Sequence, residues 1–127
     1  ANLSGRWSTW AWRHSNHFNQ LLPRKVESFA GKYVQVIAAG GDHSLVVADG
    51  NLFSFGDGSS GQLGLGAFVE CSKLPQKVKI MESKRIQAIA AGGYHSLVVA
   101  DGELYSFGNG EYGKLLRMKS YLKKLKV

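Results

Sequence analysis

Apolar and polar residues alternate in short segments along the middle of the chain, and the same pattern occurs twice. In the first occurrence, segments at residues 34–39, 44–48 and 52–55 are separated by glycine-containing turns. Segments of this length that end in glycine predict short β-strands. Residues 38–56 recur at 90–108 with sixteen of nineteen positions identical. A near-copy at an interval of 52 residues indicates a repeat architecture, in which each copy is one supersecondary unit.

The turn between the second and third segments is an Asp-Gly pair in both copies, at Asp49 and Gly50 and again at Asp101 and Gly102. Asp-Gly readily takes the positive backbone angles of a two-residue hairpin, so each pair predicts a tight turn between antiparallel strands.

A fourth strand is predicted at residues 77–80, after Pro75, and a related Pro-x-Lys-Val step begins at Pro23. The small residues at 38–41 suit a strand that is crowded near a central axis. Four-stranded antiparallel units around an axis are the blades of a β-propeller. We therefore predict an all-β chain that forms a partial β-propeller of about two four-stranded antiparallel blades.

Residues 22–114 resemble the repeat of the regulator of chromosome condensation family, whose members form seven-bladed propellers. The resemblance rests on a Gly-x-x-His-Ser step, the Asp-Gly hairpin, an aromatic-Gly end to the third strand, and the sequence Gly-Gln-Leu-Gly at residues 61–64. A ring of seven such units needs roughly seven intervals, whereas this chain holds about two. Uncovered blade faces and open strand edges therefore lead us to expect self-association.

The resemblance implies a non-catalytic protein-interaction segment that regulates a small GTPase, chromatin or ubiquitin machinery. In the family's exchange factor for the Ran GTPase, the Gly-x-x-His loops contact the GTPase, which implies a partner-binding set here: Asp42, His43, Tyr94 and His95. Two alternatives stay open: a guanine-nucleotide exchange factor for a Ran-like GTPase, and a truncated product without independent function. Light sensing is not expected, because the Gly-Trp-Arg-His-Thr steps of the family's plant ultraviolet-B receptors are missing.

The histidines and Tyr94 also have structural interpretations. A histidine that recurs in each unit, as at His43 and His95, more often makes the same structural hydrogen bond than takes part in catalysis, and Tyr94 could pack between blades. No serine, cysteine or acid accompanies both histidines in a triad-like pattern, so no catalytic residue is predicted and the chain is not expected to be an enzyme.

Neither a cofactor nor a metal is predicted. The glycine-rich segments 56–61 and 108–114 have the glycine spacing of phosphate-binding loops. However, no helix start follows the first segment, and no Ser or Thr follows the second. His14 and His17 have no ligand-forming partners nearby. The single cysteine, Cys71, excludes an internal disulfide. With no signal peptide and no membrane-spanning segment recognised, we expect an intracellular protein, nuclear or cytoplasmic.

The end of the chain carries most of the net charge of +7. Leucine and methionine recur there at spacings of three and four, which predicts a short basic amphipathic helix in place of a blade's last strand. Such a tail suits an anionic partner, or else packs on the last blade as a cap. We divide the chain into 1–21, a divergent leader or shortened blade edge; 22–113, the repeats; and 114–127, the basic tail. Six cations and no acid occupy the tail: Lys114, Arg117, Lys119, Lys123, Lys124 and Lys126.

Overall fold

The computed structural model describes residues 20–110 and the backbone of residues 123–126. The first sheet, which we call blade 1, contains β1 (Val34–Ala39), β2 (His43–Ala48), β3 (Asn51–Asp57) and β4 (Cys71–Lys77). The second sheet, blade 2, contains β5 (Ile86–Ala91), β6 (His95–Ala100), β7 (Glu103–Gly108) and β8 (Lys123–Lys126). All neighbouring strands are antiparallel and follow chain order, which confirms the predicted architecture.

Both Asp-Gly hairpins form as predicted. Asp49 and Gly50 have φ angles of 50° and 79°, and Asp101 and Gly102 have φ angles of 52° and 76°. The Asp49 carboxylate also accepts a hydrogen bond of 3.0 Å from the backbone N–H of Tyr33, which ties the hairpin to the start of β1. Each blade therefore closes the same turn with the same local chemistry.

The predicted position of the fourth strand is wrong in blade 1. The strand is Cys71–Lys77, so it starts before Pro75, and Lys79–Met81 forms a 3-10 turn. A proline interrupts a central strand because it cannot donate a backbone hydrogen bond, but β4 is the outer strand of its sheet, where that donor is dispensable. A second 3-10 turn occupies the equivalent site, Glu27–Phe29. Among the described residues, no helix has the length and apolar character that a membrane span requires.

The predicted tail helix is wrong at its C-terminal end. Residues 123–126 form strand β8, which pairs with β7 in the register Glu103↔Lys126 and Ser106↔Lys123. The outer edge of β7 would otherwise leave backbone N–H and C=O groups unpaired, and this pairing completes the second blade. The rest of the predicted helix, residues 115–122, and all of residues 1–19 lie outside the described part of the chain.

The main hydrophobic core lies between the two blades. Blade 1 contributes Leu45, Val47 and Leu52, with Val78 and Met81 from the connection to blade 2. Blade 2 contributes Val98, Ala100, Tyr105 and Phe107, and all nine side chains are buried. The alternation of side chains along a strand places Leu45 and Val47 on one face of β2, so that face accepts blade 2.

The Gly-Gln-Leu-Gly segment of the β3–β4 loop packs into the same interface. The Ser54 hydroxyl donates a hydrogen bond of 2.8 Å to the Leu63 carbonyl, and the Leu63 side chain is buried. Gly64 has a φ angle of +68°, and a Cβ atom there would lie 2.7 Å from Cε2 of Phe107. Gly64 is thus needed both for its backbone angle and for the approach of the next blade.

A buried chain of hydrogen bonds also joins the blades. The Ser96 hydroxyl of blade 2 donates to the Gln62 carbonyl of blade 1 at 2.9 Å and lies 2.9 Å from Nε2 of His43. Because a hydroxyl has one proton, Nε2 of His43 must be the donor to Ser96 Oγ. The neutral form of His43 in this position is therefore the tautomer with its proton on Nε2.

Protonation of His43 is unfavourable in this position. Burial lowers the pKa of His43 below its ordinary value of 6.5, although the nearby Asp57 carboxylate opposes the shift. Nδ1 is buried and has no hydrogen-bond partner in the described part of the chain, so a second proton would add a donor without an acceptor.

We predict that Gly64→Ala destabilises the fold more than Gly66→Ala does. Both glycines have positive φ, but a Cβ atom on Gly66 would meet nothing within 4 Å. The shared backbone strain costs about 1–2 kcal/mol, and overpacking against Phe107 adds about 1–3 kcal/mol at Gly64 alone. Urea denaturation measures both variants, and equal losses of unfolding free energy would contradict the packing role of Gly64.

We also predict that the free energy of unfolding falls as the pH drops below about 6.5. In that range the unfolded state binds a proton at His43 while the folded state does not, so the loss continues until the folded pKa is reached. NMR titration of the His43 ring should give a pKa below 6.5 in the folded chain and about 6.5 in urea. A folded pKa at or above the unfolded one would contradict the prediction.

Candidate functional site

The turns that carry the predicted partner residues lie at one end of the blades, which we call the loop end. It consists of residues 40–42 between β1 and β2, residues 58–70 between β3 and β4, and residues 92–94 between β5 and β6. These connections share an end because successive strands of each sheet are antiparallel. The Asp-Gly hairpins lie at the opposite end.

Glycine allows each histidine ring to fold back over its own turn. A Cβ atom on Gly40 would lie 2.5 Å from Cε1 of His43, and a Cβ atom on Gly92 would lie 2.3 Å from Cε1 of His95. Any larger residue would displace the ring. The Gly-x-x-His spacing therefore reflects packing of the histidine on the glycine, repeated in both blades.

The first and second turns touch each other directly. The Gly41 N–H donates to the Gly92 carbonyl at 3.0 Å, and a Cβ atom on Gly41 would lie 2.9 Å from the Gly93 carbonyl oxygen. This contact places the C-terminal ends of β1 and β5 side by side. The small residues at 38–41 predicted such crowding of the first strand near an axis. Asp42 and Tyr94, the next residues in each turn, consequently lie on neighbouring loops.

The backbone of both positions is fixed while the side chains reach solvent. The Asp42 carbonyl accepts a hydrogen bond of 2.8 Å from the Asp57 N–H, and the Tyr94 carbonyl accepts one of 2.9 Å from the Asn109 N–H. Asp42 is exposed, and Tyr94 is 48% exposed. An exposed acid and an exposed aromatic ring thus stand on rigid, adjacent turns.

The structure separates the four predicted partner residues into two pairs. Asp42 and Tyr94 point outward, whereas His43 is only 3% exposed and its Nε2 contacts Ser96, and His95 is half-buried. The histidines lie behind the surface residues and hold the turns through the glycine packing. Partner binding at these positions stays a prediction, and the exposed pair is where a partner would make contact.

A serine beside a histidine is also the arrangement of a nucleophile and its general base. Here the proton of Ser96 is directed to the Gln62 carbonyl and not to His43, and both side chains are buried. The pair therefore connects the blades and does not activate a hydroxyl. Within the described residues, no group of three or more His, Cys, Asp or Glu side chains is placed to hold a metal ion.

Sequence reasoning missed how the β3–β4 loop is built. The Asp57 carboxylate is buried and accepts hydrogen bonds from the Ser59 N–H at 3.1 Å and from Nε2 of Gln62 at 3.2 Å. Gln62 in turn accepts from the Ser60 N–H at 2.8 Å. The signal available in the sequence was Gln62 itself, a polar residue between glycine and leucine that needs internal partners to be buried.

The same loop presents an aromatic residue at the loop end. Phe68 is 66% exposed and lies between β3 and β4. Glycine-rich turns around it have backbone bonds within the loop, from Gly61 N–H to the Gly58 carbonyl and from Gly64 N–H to the Gly61 carbonyl. These bonds close two successive tight turns within the loop.

Several proteins are similar to this chain. The X-linked retinitis pigmentosa GTPase regulator of Canis lupus familiaris is 39% identical over 98 residues, which cover 76% of this chain and 10% of that protein. The Ultraviolet-B receptor UVR8 of Arabidopsis thaliana is 37% identical over 115 residues, which cover 84% of this chain and 26% of that protein.

The crystal structure of Prp20p from Saccharomyces cerevisiae has a TM-score of 0.63 and 26% sequence identity, and the match covers 84% of this chain and 27% of Prp20p. The chain thus spans only a tenth to about a quarter of the length of these three proteins. Prp20p has been described together with its binding to Gsp1p and histones.

The repeat itself is matched directly and across most of the chain. The Regulator of chromosome condensation (RCC1) repeat matches residues 14–47 and 49–99, and a second description of the same repeat matches residues 34–62 and 86–114. These segments contain the Gly-x-x-His turns, the hairpins and the interface loop described above. The chain belongs to the regulator of chromosome condensation (RCC1) repeat family.

Proposed function

We propose that this chain is a protein-interaction segment of a regulator of a small GTPase, and that its loop end contacts the partner through Asp42 and Tyr94. The single observation that carries the proposal is the pairing of fixed backbone with exposed side chains at these two positions. Loops held on a rigid scaffold commonly carry recognition. A preformed surface of this kind also binds without a large cost of ordering its loops.

The two blades support this assignment because they differ where the surface is exposed. The turns have the same glycines, histidine and serine in both copies, whereas position 42 is an acid and position 94 is a tyrosine. Shared residues maintain the fold of each turn. Tyr94 supplies an amphipathic ring of the type that is enriched at interaction hot spots, and Asp42 supplies a charge beside it.

His43 and His95 have a supporting role in this proposal. Their rings pack on Gly40 and Gly92 and so hold each turn in position relative to its sheet. Replacing either histidine would change the position of the exposed residue next to it as well as the blade packing. We therefore keep both histidines in the partner-binding set as positioning residues.

The named relatives support a regulatory partner of this class. The retinitis pigmentosa relative is called a GTPase regulator, and Prp20p is described with its binding to Gsp1p and histones. The proposal also covers the specific partner and a nuclear or cytoplasmic location. It further includes the division of the chain into segments 1–21, 22–113 and 114–127. Guanine-nucleotide exchange, which the resemblance to the family's exchange factor for the Ran GTPase implies, is the second candidate.

We predict that Asp42→Ala combined with Tyr94→Ala weakens binding to a Ran-type small GTPase loaded with GDP. Loss of an aromatic hot spot costs about 2 kcal/mol or more, which corresponds to a dissociation constant about thirtyfold higher. Isothermal titration calorimetry measures the affinity, and release of a fluorescent GDP analogue tests exchange in the same samples. Acceleration of release by the intact chain alone would favour the exchange-factor candidate.

The matched control is Tyr33→Ala. Tyr33 is 74% exposed and contacts the Asp49 hairpin at the opposite end of blade 1, so its loss should leave affinity unchanged. Circular dichroism confirms that all variants keep their sheets. Binding that survives the double substitution, or that responds equally to Tyr33→Ala, contradicts the loop end as the contact surface.

We further propose that the basic tail, residues 114–127, binds an anionic partner such as a nucleic acid backbone. Its six cations account for most of the net charge of +7. Blade 2 positions the end of this segment through the pairing of β8 with β7, so the backbone of residues 123–126 lies along the edge of the sheet. A structural cap on the blade is the competing role of the same residues.

The salt dependence of duplex DNA binding tests the tail. If the six cations each neutralise one phosphate, a plot of log K against log salt has a slope of about −5. Replacing the six tail cations by Gln should abolish that slope. The control replaces six exposed cations outside the tail by Gln and should retain it: Arg24, Lys25, Lys32, Lys73, Lys79 and Arg85. No binding by the intact chain, or equal losses in both variants, would contradict the proposal.

A further inference from the structure

The two Asp-Gly hairpins combine a structural requirement with a chemical weakness. The turns need positive φ at both central residues, which Asp49 and Gly50 have in blade 1 and Asp101 and Gly102 have in blade 2. Asp followed by Gly is also the dipeptide that most readily forms a succinimide, because glycine has no side chain to hinder the approach of its nitrogen to the aspartate carboxyl carbon. Each hairpin therefore contains two groups that can react with each other.

This reaction lengthens the backbone of the turn. The glycine nitrogen forms a bond to Cγ of the protonated aspartate side chain, the bond from Cγ to its hydroxyl breaks, and the hydroxyl leaves as water with the proton of the N–H. Water then opens the imide at one of its two carbonyls and gives either aspartate or isoaspartate, whose main chain runs through Cβ and Cγ. Because β2 and β3 pair up to Ala48↔Asn51, an additional backbone atom in the turn would disturb the register of the blade.

A glutamine side chain holds the reactive nitrogen in each hairpin. The Gly50 N–H donates to Oε1 of Gln35 at 2.7 Å, and the Gly102 N–H donates to Oε1 of Gln87 at 2.5 Å. A Cβ atom on either glycine would meet nothing within 4 Å. Hydrogen bonding, and not packing by the described residues, therefore restrains the peptide plane of the glycine and directs its N–H at the glutamine.

The aspartate carboxylate is held by a different partner. Oδ1 of Asp49 accepts a hydrogen bond of 3.0 Å from the Tyr33 N–H, and Oδ1 of Asp101 accepts one of 3.0 Å from the Arg85 N–H. The nitrogen and the carboxyl group of each turn are thus bound to separate groups at the start of the first strand. To react, they have to give up at least one of these two hydrogen bonds.

A β-bulge in the first strand of each blade places the glutamine beside the turn. The register of β1 against β2 shifts between Val34 and Val36, which makes Gln35 the extra residue, and Gln87 is the extra residue of the same shift in β5. A bulge re-aims a side chain relative to the regular strand. The glutamine is the same in both copies, although the residues on either side of it differ between them.

A third Asp-Gly step, in the β3–β4 loop, is held without a glutamine on its nitrogen. The Gly58 N–H donates to the Glu70 carbonyl at 2.8 Å, and the buried Asp57 carboxylate accepts from the Ser59 N–H at 3.1 Å. This step is therefore an internal reference, because its restraint does not involve Gln35 or Gln87.

We propose that Asp49 and Asp101 are latent isoaspartate sites, and that Gln35 and Gln87 are positioning residues that keep these sites closed by holding the glycine nitrogen. The fold requires the reactive dipeptide for its backbone angles, and the bulged glutamine suppresses the reaction that the dipeptide would otherwise undergo. A purely structural glutamine would stabilise the hairpin without changing the rate of succinimide formation in the folded chain.

The test incubates the folded chain at neutral pH in water enriched in heavy oxygen, which each passage through the succinimide incorporates at the aspartate. Mass spectrometry of proteolytic peptides and their fragments assigns the label to Asp49, Asp57 or Asp101. Gln35→Ala should label Asp49 about three- to tenfold faster than the unchanged chain, which is the effect of losing one hydrogen bond. Labelling of Asp101 should not change.

Two further variants make the comparison specific. Gln87→Ala should show the reverse pattern, with faster labelling at Asp101 alone. Gln35→Glu keeps an oxygen acceptor for the Gly50 N–H and should label Asp49 at nearly the rate of the unchanged chain. In urea, the unchanged chain and all three variants should label Asp49 at one common rate, because the restraint belongs to the folded hairpin.

Three outcomes overturn the proposal. The first is an unchanged rate at Asp49 in Gln35→Ala. The second is an equal rise at Asp49, Asp57 and Asp101, which would reflect loss of the whole fold and not of a local restraint. The third is a rate at Asp49 in urea that still differs between Gln35→Ala and the unchanged chain.

Discussion

The hydroxyl of Ser96 is the point on which the arrangement of the two blades depends. It belongs to blade 2, yet both of its hydrogen-bond partners, His43 and the carbonyl of Gln62, belong to blade 1. All three residues are buried, so separating the blades would leave polar groups without partners unless water replaced them. The apolar core supplies attraction without direction, and the hydrogen bonds add a fixed register between the sheets.

Glycine residues allow the two sheets to approach closely enough to adopt this register. The inner strands approach until Gly41 donates to the Gly92 carbonyl, and Gly64 allows the loop backbone to rest on the ring of Phe107. The same glycines that fix the blades also fix the turns at the loop end. A binding surface at Asp42 and Tyr94 would therefore inherit its rigidity from the blade interface, which links the stability of the fold to any recognition at its end.

The sequence determined the strands, the hairpins and the repeat, because these depend on contacts close together in the chain. The alternation of apolar and polar residues within a strand and the positive φ angles of Asp-Gly are local properties. The strands form as expected, and so do the turns at Asp49 and Asp101. The outer strands were misplaced because their edges are governed by the neighbouring strand. Pro75 is tolerated there and residues 123–126 extend there only because β3 and β7 offer open edges.

The sequence also determined which residues belong to the loop end, since the Gly-x-x-His step and its variable positions can be read directly. Only the tertiary structure decided which of them are exposed and which are buried. Tyr94 could have packed between blades, and it is exposed; His43 could have faced a partner, and it bonds to Ser96, 53 residues away. A hydrogen bond across that separation depends on how two sheets stack. Stacking is set by packing of the whole interface, and no local pattern in either copy specifies it.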